Sequence, residues 1–372
     1  MPLTPRGLAL NSCQSRISAP GDNVYLTARI AIHGFGRIGR CFFRLAQQQN
    51  VFEIGAIADV AEAPTLAYLL KYDSVHGRYP GSVEAEGDAI VVDGRRIPVV
   101  SGGTPGQRDW RTHDIWCVLE ATGQFTRYDA LAGHLEAGAR KVVLSANPHP
   151  GDRERLPTFV MGVNHEQYDP ARDHAVSNAS CTTNCLAPVV QVLDEHFGIE
   201  HALVTTIHAY TKGQNLVDAP HEDLCRSRAA AMNMVPTSTG ATAAVGVVLP
   251  RMRGRITGLS VRVPTPNVSL ADVNLSFGKT TDAEEINYVL NQATLGSLRG
   301  IVEVTRDPVV SGDLNGCRAS ATVDLARTMV AGKKGSLAKV MLWYDNEMGY
   351  AARLIDMMHW MIQAEKEGND GH

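Results

Sequence analysis

The sequence predicts an α/β protein of two domains, and three observations support this prediction. The chain has 372 residues, which is enough for two hydrophobic cores. In residues 29–180, short apolar runs alternate with amphipathic segments, a pattern typical of a mostly parallel sheet flanked by helices. In residues 181–345, strand-like runs follow one another with few helices between them, which predicts an α+β domain with a mainly antiparallel sheet.

Composition indicates an ordinary folded protein and argues against several functional classes. The net charge of −4 gives no reason to expect a nucleic-acid partner. No apolar run approaches the roughly 18 residues that a membrane helix needs. The seven cysteines are odd in number and scattered, which favours a reducing, cytoplasmic compartment over a disulfide framework. No Cys and His pair has zinc-finger spacing, so we expect no structural metal.

Residues 1–28 are expected to lie outside the fold as a disordered extension or an over-long start. They contain several prolines and lack the sustained apolar core of a secretory signal. The first 21 residues have no acid, two arginines and three serines, a composition that faintly suggests a transit peptide. The prolines interrupt the amphipathic helix that a transit peptide would form, so we favour a disordered extension or an over-long start.

A glycine-rich loop joins the first predicted strand to the first predicted helix. Strand 29–33 runs directly into residues 34–39, which read GFGRIG, and an amphipathic helix follows. Glycines at this spacing let the backbone approach a pyrophosphate, whose charge the helix N-terminus stabilises. The expected cofactor contacts in this loop are Gly34, Gly36, Arg37, Ile38 and Gly39.

A second strand, residues 53–58, ends at Asp59, about twenty residues past the last glycine. This position suits an acceptor for the ribose hydroxyls of a dinucleotide. A carboxylate there would repel a 2′-phosphate. The sequence therefore predicts NAD rather than NADP.

The remaining segments of the first domain continue the alternation of strands and helices. The predicted elements are helix 64–70, a hairpin of 89–92 and 96–100, strand 114–120, helix 128–137, and strands 141–145 and 159–163. Thr122 and Gly123 follow one buried strand and are expected to form a wall of the nicotinamide site. Ser145 ends the next strand and is included among the expected cofactor contacts.

Residues 180–185, which read SCTTNC, give the strongest indication of chemistry. In the segment 186–197 that follows, apolar residues recur every three or four positions, which predicts a helix. Cys181 would lie at its first turn, where free N–H groups and the positive end of the dipole favour a thiolate. Its polar neighbours argue against a buried structural cysteine. Cys185 faces apolar residues and is expected to be structural.

His208, on the predicted strand 202–210, is the candidate base. A thiolate that attacks an aldehyde gives a product whose hydroxyl proton must be removed before hydride can leave. A histidine beside Cys181 would also lower the thiol pKa as an imidazolium. The alternative, a core histidine with satisfied hydrogen bonds, fits less well with the polar residues that end this strand. His76 is expected to be a loop histidine outside the site.

Residues 180–185, together with residues 206–211, which read TIHAYT, resemble the active site of the phosphorylating glyceraldehyde-3-phosphate dehydrogenases. The resemblance extends over residues 29–361, and residues 343–350, which read WYDNEMGY, are similar to another signature of that family. It implies a Rossmann-type NAD-binding domain completed by a final helix in 346–372, a catalytic domain at 181–345, and a cytoplasmic homotetramer. It also implies that Asn346 bonds the nicotinamide carboxamide and that Tyr350 lies in the cofactor site.

The resemblance also implies two anion sites and two substrates, glyceraldehyde 3-phosphate and inorganic phosphate. Arginine's planar fork suits both anions, and residues 237–240 should present N–H groups at a helix start. The implied contacts to the substrate phosphate are Thr211 and Arg262. The implied contacts to the attacking phosphate are Ser180, Arg226, Thr239 and Gly240, and Thr182 is included in the substrate site.

The sequence departs from the family at four places. His33 stands where an asparagine usually precedes the glycine loop, and Lys212-Gly213 replaces the usual Asn-Asp. Cys225 replaces an arginine, and Ala219-Pro220 replaces a leucine-proline pair, which weakens the preference for NAD slightly. Two alternatives remain open at this level: an erythrose-4-phosphate dehydrogenase, and a binding protein that has lost turnover.

Overall fold

The structure, a computed structural model, describes residues 28–370. The predicted extension therefore lies outside the described residues, apart from Ala28, which is buried. None of the helices between residues 28 and 370 combines the length and the apolar character of a membrane span.

The first half of the chain forms an eight-stranded sheet with helices on its faces. Its elements are β1 (Arg29–His33), α1 (Arg37–Gln49), β2 (Glu53–Asp59), α2 (Ala63–Lys71), β3 (Val83–Glu86), β4 (Ala89–Val92), β5 (Arg95–Ser101), β6 (Cys117–Glu120), α3 (Tyr128–Glu136), β7 (Lys141–Leu144) and β8 (Ala175–Ser177). The strand order is β3-β4-β5-β2-β1-β6-β7-β8, and the strands from β5 to β8 are parallel.

The direction in which the chain adds strands to this sheet reverses between β1 and β6. The chain adds β2 and β5 on one side of β1, then crosses to β6, β7 and β8 on the other side. In open α/β sheets, ligands bind outside the carboxyl ends of the strands at such a switch point. His33 and Glu120, the last residues of these two strands, are cross-strand partners there. The predicted fold class of this half is confirmed.

The predicted strand at 159–163 is wrong. Its apolar residues are buried, but the chain turns at Gly162, whose φ of +76° is a left-handed conformation that ends an extended run. Phe159 donates its N–H to the Ser177 carbonyl at 2.9 Å, but residues 159–163 do not continue as a strand. The edge strand of the sheet is β8, which pairs with β7. The apolar run reflects burial, which a turn against the core provides as well as a strand does.

The second half of the chain forms another eight-stranded sheet. Its elements are α4 (Cys181–Phe197), β9 (Ile199–Ala209), β10 (Val235–Ser238), α5 (Ala241–Val248), β11 (Ile256–Val263), β12 (Ser269–Thr281), α6 (Ala283–Leu295), β13 (Val302–Thr305), β14 (Ala321–Asp324), β15 (Met329–Val330), β16 (Gly335–Tyr344) and α7 (Met348–Asp370). The order is β10-β11-β9-β12-β16-β14-β13, with β15 on β16. Among the described strands of this second sheet, only β9 with β11 and β13 with β14 pair in parallel, which confirms a mainly antiparallel sheet.

Two helices connect the halves of the molecule. Helix α4 begins at Cys181 itself and continues through Pro188, and its apolar side chains fill the core of the second sheet. Helix α7 packs against α1, and Leu354, Ile355 and Met358 belong to the core of the first sheet. The carboxyl-terminal end of the chain thus returns to the glycine loop.

Candidate active site

Cys181 follows a strained turn between β8 and α4. Ala179 has a φ of +56°, a left-handed conformation that costs an alanine roughly 1–2 kcal/mol. Two bonds hold it: its N–H donates to Ser177 Oγ at 3.0 Å, and its carbonyl accepts from the Tyr350 hydroxyl at 2.9 Å. Ser180 then caps α4, its Oγ accepting from the Thr183 N–H at 3.2 Å. The turn places Cys181 at the first helical position, as predicted.

The structure brings Cys181 and His208 together. The sulfur lies 3.7 Å from His208 Nε2. His208 is buried near the end of β9, directly across the parallel pair from Arg262 on β11. Its Nδ1 lies 2.7 Å from the Ala209 carbonyl oxygen and 2.6 Å from Arg262 Nη1. The three predicted side chains therefore form one continuous group.

The electrostatics of this pair differ from the sequence expectation. Burial raises the pKa of the Cys181 thiol, although Arg262, the Thr182 hydroxyl and backbone N–H groups of α4 act in the opposite direction. Burial and the Arg262 cation lower the pKa of His208 to about 3. These directions favour a neutral thiol beside a neutral imidazole, whereas the sequence predicted a thiolate and an imidazolium. The sequence could not show that His208 is buried and that Cys181 is half-buried beside it.

Two further contacts tie the nucleophile to the strand before α7. The Thr182 and Tyr344 hydroxyls lie 3.0 Å apart, and the Tyr344 ring packs edge-on against His208. Ser269 Oγ accepts from the Ala209 N–H at 3.1 Å and donates to Asn346 Oδ1 at 2.7 Å. Sequence reasoning missed Ser269 and Tyr344, because only strand pairing brings them to this position.

Arg226 approaches the same edge of the second sheet from the loop after β9. Its Nε donates to Thr237 Oγ1 at 2.8 Å, and the Thr237 hydroxyl donates to Asp223 at 2.8 Å. Burial lowers the pKa of Arg262, and the Arg226 cation acts in the same direction, so the two guanidinium groups are close enough to interact electrostatically. A concentration of positive charge beside Cys181 suits an anionic ligand.

The other expected phosphate contacts lie at the surface. Gly240 is the exposed N-cap of α5 and has no side chain to cap the helix, but Thr239 Oγ1 accepts from the N–H of Ala241, the first helical residue, at 3.2 Å. A Cβ on Gly240 would lie 3.7 Å from Asn147 Nδ2 of the other half. Thr211 is exposed at the start of the loop after β9, and its N–H donates to Gln214 at 3.4 Å.

The glycine loop between β1 and α1 has the close approaches that its motif predicts. Gly34 has a φ of +93°, and a Cβ there would lie 2.5 Å from the Thr122 nitrogen. A Cβ on Gly39 would lie 2.3 Å from the Gly34 carbonyl oxygen. Around Gly36, the N-cap of α1, the space is open and no side chain caps the helix. The uncapped N–H groups suit a phosphate, so the residues present fit a dinucleotide.

Asp59 ends β2 and holds this loop directly. Its Oδ2 accepts from the Phe35 N–H at 2.7 Å and its Oδ1 from the Ala61 N–H at 2.9 Å. Thr122, Gly123 and Ser145 follow β6 and β7 at the same edge of the sheet. Ile38, in the first turn of α1, is half-buried.

Arg37 and Tyr350 are engaged within the protein. The guanidinium of Arg37 pairs with Glu347, with Nε 2.8 Å from Oε1, and also with Asp73. His76 contacts Glu347 as well, with Nε2 2.8 Å from the carboxylate. Tyr350 is buried, and its hydroxyl bonds the turn before Cys181. Both side chains thus position neighbouring protein groups, so only their backbones remain available to a cofactor.

Within residues 28–370, two groups of side chains bring potential metal ligands within 4.8 Å of one another: Cys41 with His76 and Glu347, and His33 with Glu120 and His134. In the first group, Arg37 neutralises the carboxylate, and burial raises the pKa of the Cys41 thiol. A neutral thiol and a paired carboxylate are poor metal ligands.

Comparison with known proteins agrees with this geometry. The family described as glyceraldehyde 3-phosphate dehydrogenase, NAD binding domain, matches residues 28–128, and its C-terminal domain matches residues 180–346. The glyceraldehyde-3-phosphate dehydrogenase 1 of Bacillus cereus is 48% identical over 90% of this chain and 98% of its own length. The enzyme of Geobacillus stearothermophilus is 47% identical over 89% of this chain and 97% of its own. The chain belongs to the glyceraldehyde-3-phosphate dehydrogenase family.

Proposed function

We propose that this NAD-dependent oxidoreductase converts D-glyceraldehyde 3-phosphate and inorganic phosphate to 1,3-bisphosphoglycerate, as a step of glycolysis or gluconeogenesis. One observation carries the proposal: the sulfur of Cys181 lies 3.7 Å from His208 Nε2, and the His208 ring contacts Arg262. A nucleophile, a base and an anion-binding group thus occupy one site.

Cys181 supplies the nucleophile. Its thiol proton passes to His208 Nε2 as the sulfur attacks the aldehyde carbon; a C–S bond forms, the C=O π bond breaks, and the carbonyl oxygen takes that proton from His208 to become a hydroxyl. Free N–H groups of the first turn of α4 face the same region and stabilise negative charge there. Arg262 and Thr211 hold the phosphate of the substrate, and Thr182 orders the helix start through Tyr344.

His208 removes the hydroxyl proton at Nε2. For this role its Nδ1 must carry the other hydrogen, which the Ala209 carbonyl accepts at 2.7 Å. NAD, when bound, supplies the acceptor for the hydride, and the carbon is left as a thioester on Cys181. The low pKa of His208 keeps its imidazole neutral at physiological pH, so Nε2 can take up a proton, but His208 stays a weak base until the Arg262 charge is drawn away from it.

Inorganic phosphate completes the reaction. One of its oxygens attacks the thioester carbon, the C–S bond breaks, and Cys181 leaves as a thiolate that takes up a proton. Ser180, Arg226, Thr239 and Gly240 hold this phosphate before it attacks. The N–H groups that Thr239 leaves free in the first turn of α5 and the Arg226 guanidinium contribute the two kinds of donor that a dianion requires.

The cofactor lies in the crevice at the carboxyl ends of β1 and β6. Gly34, Gly36, Ile38 and Gly39, with the backbone of Arg37, hold the pyrophosphate, and Asp59 holds the ribose hydroxyls. Thr122, Gly123, Ser145 and Asn346 line the nicotinamide end, while Tyr350 supports it through the turn at Ala179. With Ser269 donating to its Oδ1, Asn346 keeps its NH₂ group free for a carboxamide oxygen.

We also propose that residues 29–180 and 346–372 form the NAD-binding domain, that 181–345 form the catalytic domain, and that the enzyme is a cytoplasmic homotetramer. The packing of α7 on α1 supports the division. Large apolar side chains exposed in the loop after β9 support assembly: Leu216, Val217, Leu224, Met232 and Met234. Among the described residues, five cysteines form no disulfide, which fits a reducing compartment: Cys41, Cys117, Cys181, Cys185 and Cys225.

The test is NADH formation followed at 340 nm, with NAD and glyceraldehyde 3-phosphate, in the presence and absence of inorganic phosphate. Erythrose 4-phosphate is assayed in parallel, and Cys181→Ser is the control. Turnover that requires phosphate and is lost in the control supports the proposal. Faster oxidation of erythrose 4-phosphate without a phosphate requirement would establish the rival dehydrogenase. Binding of NAD without turnover of any substrate would instead support a non-catalytic protein.

A further inference from the structure

Four side chains are buried behind the cofactor crevice and take no part in the chemistry proposed above. His33 ends β1 and Glu120 ends β6, where they are partners across the parallel pair. His134 comes from α3, and Trp110 comes from a short turn before β6. All four are at most 3% exposed. His33 is also the position at which the sequence departs from the asparagine usual in the family.

The hydrogen bonds among these groups fix where their protons lie. The Trp110 indole N–H can only donate, and it lies 3.1 Å from His134 Nδ1, which must therefore accept. A neutral His134 then carries its proton on Nε2, which lies 3.2 Å from Glu120 Oε2. His33 Nδ1 lies 2.7 Å from the same oxygen and 3.2 Å from His134 Nε2; since an ionised carboxylate can only accept, Nδ1 donates to it and both imidazole N–H groups converge on Oε2.

This arrangement argues against a metal ion at the three potential ligands. His134 could ligate through Nε2 only if its Nδ1 carried the hydrogen. That hydrogen would face the Trp110 indole hydrogen across 3.1 Å. The hydrogen-bond donors of this cluster surround the Glu120 carboxylate, which is the anion that they bind.

The second oxygen of Glu120 connects the cluster to the cofactor crevice. Its Oε1 accepts from the Thr122 N–H at 2.9 Å and from the Thr122 hydroxyl. Burial favours the protonated acid, but hydrogen bonds from His134, His33 and Thr122 outweigh it and hold the pKa of Glu120 at about 2. The carboxylate is thus ionised at neutral pH, with four donors around it.

His33 holds the loop after β6 by a second contact. Its ring stacks on Phe125 of that loop, with centroids 5.7 Å apart and planes 12° apart. The Ala121 N–H donates to the His33 carbonyl at 2.7 Å. Since a Cβ on Gly34 would lie only 2.5 Å from the Thr122 nitrogen, the glycine loop and this loop fit against each other with little tolerance. A shift of Thr122 would close or widen the crevice.

We propose that His33 is a positioning residue for NAD: with His134 it fixes Glu120, which fixes the Thr122 backbone against the glycine loop. This inference rests on the location of the cofactor proposed above. His33 does not touch the cofactor and acts through Glu120 and Phe125. Its effect falls on NAD affinity, because the four donors order the crevice wall before the cofactor arrives.

The experiment compares the full-length enzyme with three variants: His33→Leu, His33→Asn and Ile32→Val. His33→Leu keeps an apolar side chain but removes the donor to Glu120, whereas His33→Asn restores an N–H donor. Ile32→Val removes one buried methyl from the adjacent residue of β1 and controls for lost stability. The measurements are the NAD dissociation constant by calorimetry, the KM values for both substrates, kcat, and the melting temperature.

His33→Leu is expected to raise the dissociation constant and the KM for NAD about tenfold, the usual effect of losing one bond to a charged group. We expect kcat at saturating NAD and the KM for the aldehyde to change less than about twofold, and His33→Asn to recover most of the NAD affinity. In the NAD-free protein, hydrogen exchange at the Thr122 amide should accelerate about tenfold in His33→Leu, since its acceptor is no longer fixed.

Two outcomes would overturn the inference. One is unchanged NAD affinity in His33→Leu with only a lower melting temperature. The other is an equal loss of NAD affinity in Ile32→Val, which would mark a general effect of instability. The variant Asp59→Ala distinguishes failure of the inference about His33 from a wrong location of the cofactor. If the wild type binds NAD and Asp59→Ala binds NAD equally well, the proposed location of the cofactor is wrong.

Discussion

Arg262 and His208 are cross-strand partners whose side chains meet, with the guanidinium Nη1 2.6 Å from Nδ1 of the imidazole. The Ala209 carbonyl oxygen lies 2.7 Å from the same nitrogen. The two contacts favour opposite tautomers, because a guanidinium can only donate and a carbonyl can only accept. A phosphate that draws Arg262 away from His208 leaves the Ala209 bond alone, and this is the tautomer in which Nε2 can accept a proton.

Arg262→Gln is expected to raise the pKa values of both Cys181 and His208, since the Arg262 cation lowers each of them. The thiolate is the reactive form of cysteine and exists above its pKa. At a given pH below that value, the variant therefore holds less thiolate. The inflection in the rate of Cys181 alkylation by iodoacetamide should move to higher pH by about one unit. The control Arg228→Gln removes an exposed arginine from the loop after β9, and its inflection should stay at the pH found for the wild type.

Asp59→Ala is expected to raise the KM for NAD at least tenfold, roughly the effect of losing charge-assisted bonds. The carboxylate accepts from the Phe35 and Ala61 N–H groups, so its removal also loosens the glycine loop. Discrimination against NADP should fall, because the repelling charge is gone. Steady-state kinetics with both cofactors measure this. Val60→Ala, at the exposed next residue, is the control and should behave as the wild type.

Tyr350→Phe is expected to lower kcat about tenfold while the KM for NAD changes little. The variant keeps the ring in the core but removes the donor to the Ala179 carbonyl, so the left-handed turn before Cys181 is less firmly held. Unfolding should become easier by about 1–3 kcal/mol. Tyr168→Phe is a matched control, because the Tyr168 hydroxyl is buried without a hydrogen-bond partner among the described residues. A wild-type kcat in Tyr350→Phe would refute a positioning role.

Leu224→Glu is expected to disrupt the proposed tetramer. Leu224 is 80% exposed in the loop after β9, and burying a carboxylate at a subunit contact without a partner costs several kcal/mol. Light scattering coupled to size-exclusion chromatography should show smaller species than the wild type. Leu295→Glu changes another exposed leucine, 68% exposed at the end of α6, and should leave the mass unchanged. A monomeric wild-type protein would contradict the proposed assembly.

The sequence by itself determined the features that depend on local pattern. Residues 34–39 indicated a dinucleotide loop because only glycine tolerates the approach at Gly34, and the structure has that approach. Spacing and polarity around Cys181 predicted a helix start, and α4 begins there. The fold class of the first half followed from its alternation of strands and helices, and that of the second half from successive strands with few helices between them.

Tertiary structure decided what depends on distant partners. It replaced the predicted strand at 159–163 with a turn, because an apolar run records burial and not hydrogen bonding. It also determined the left-handed Ala179, held by a hydroxyl that lies 171 residues away in sequence, and the burial that shifts the pKa values of Cys181 and His208. His33 was recognisable only as a departure from a family. The other three buried side chains of its cluster, Glu120, His134 and Trp110, could be identified only after β1 and β6 were paired, because packing sets the geometry of their hydrogen bonds.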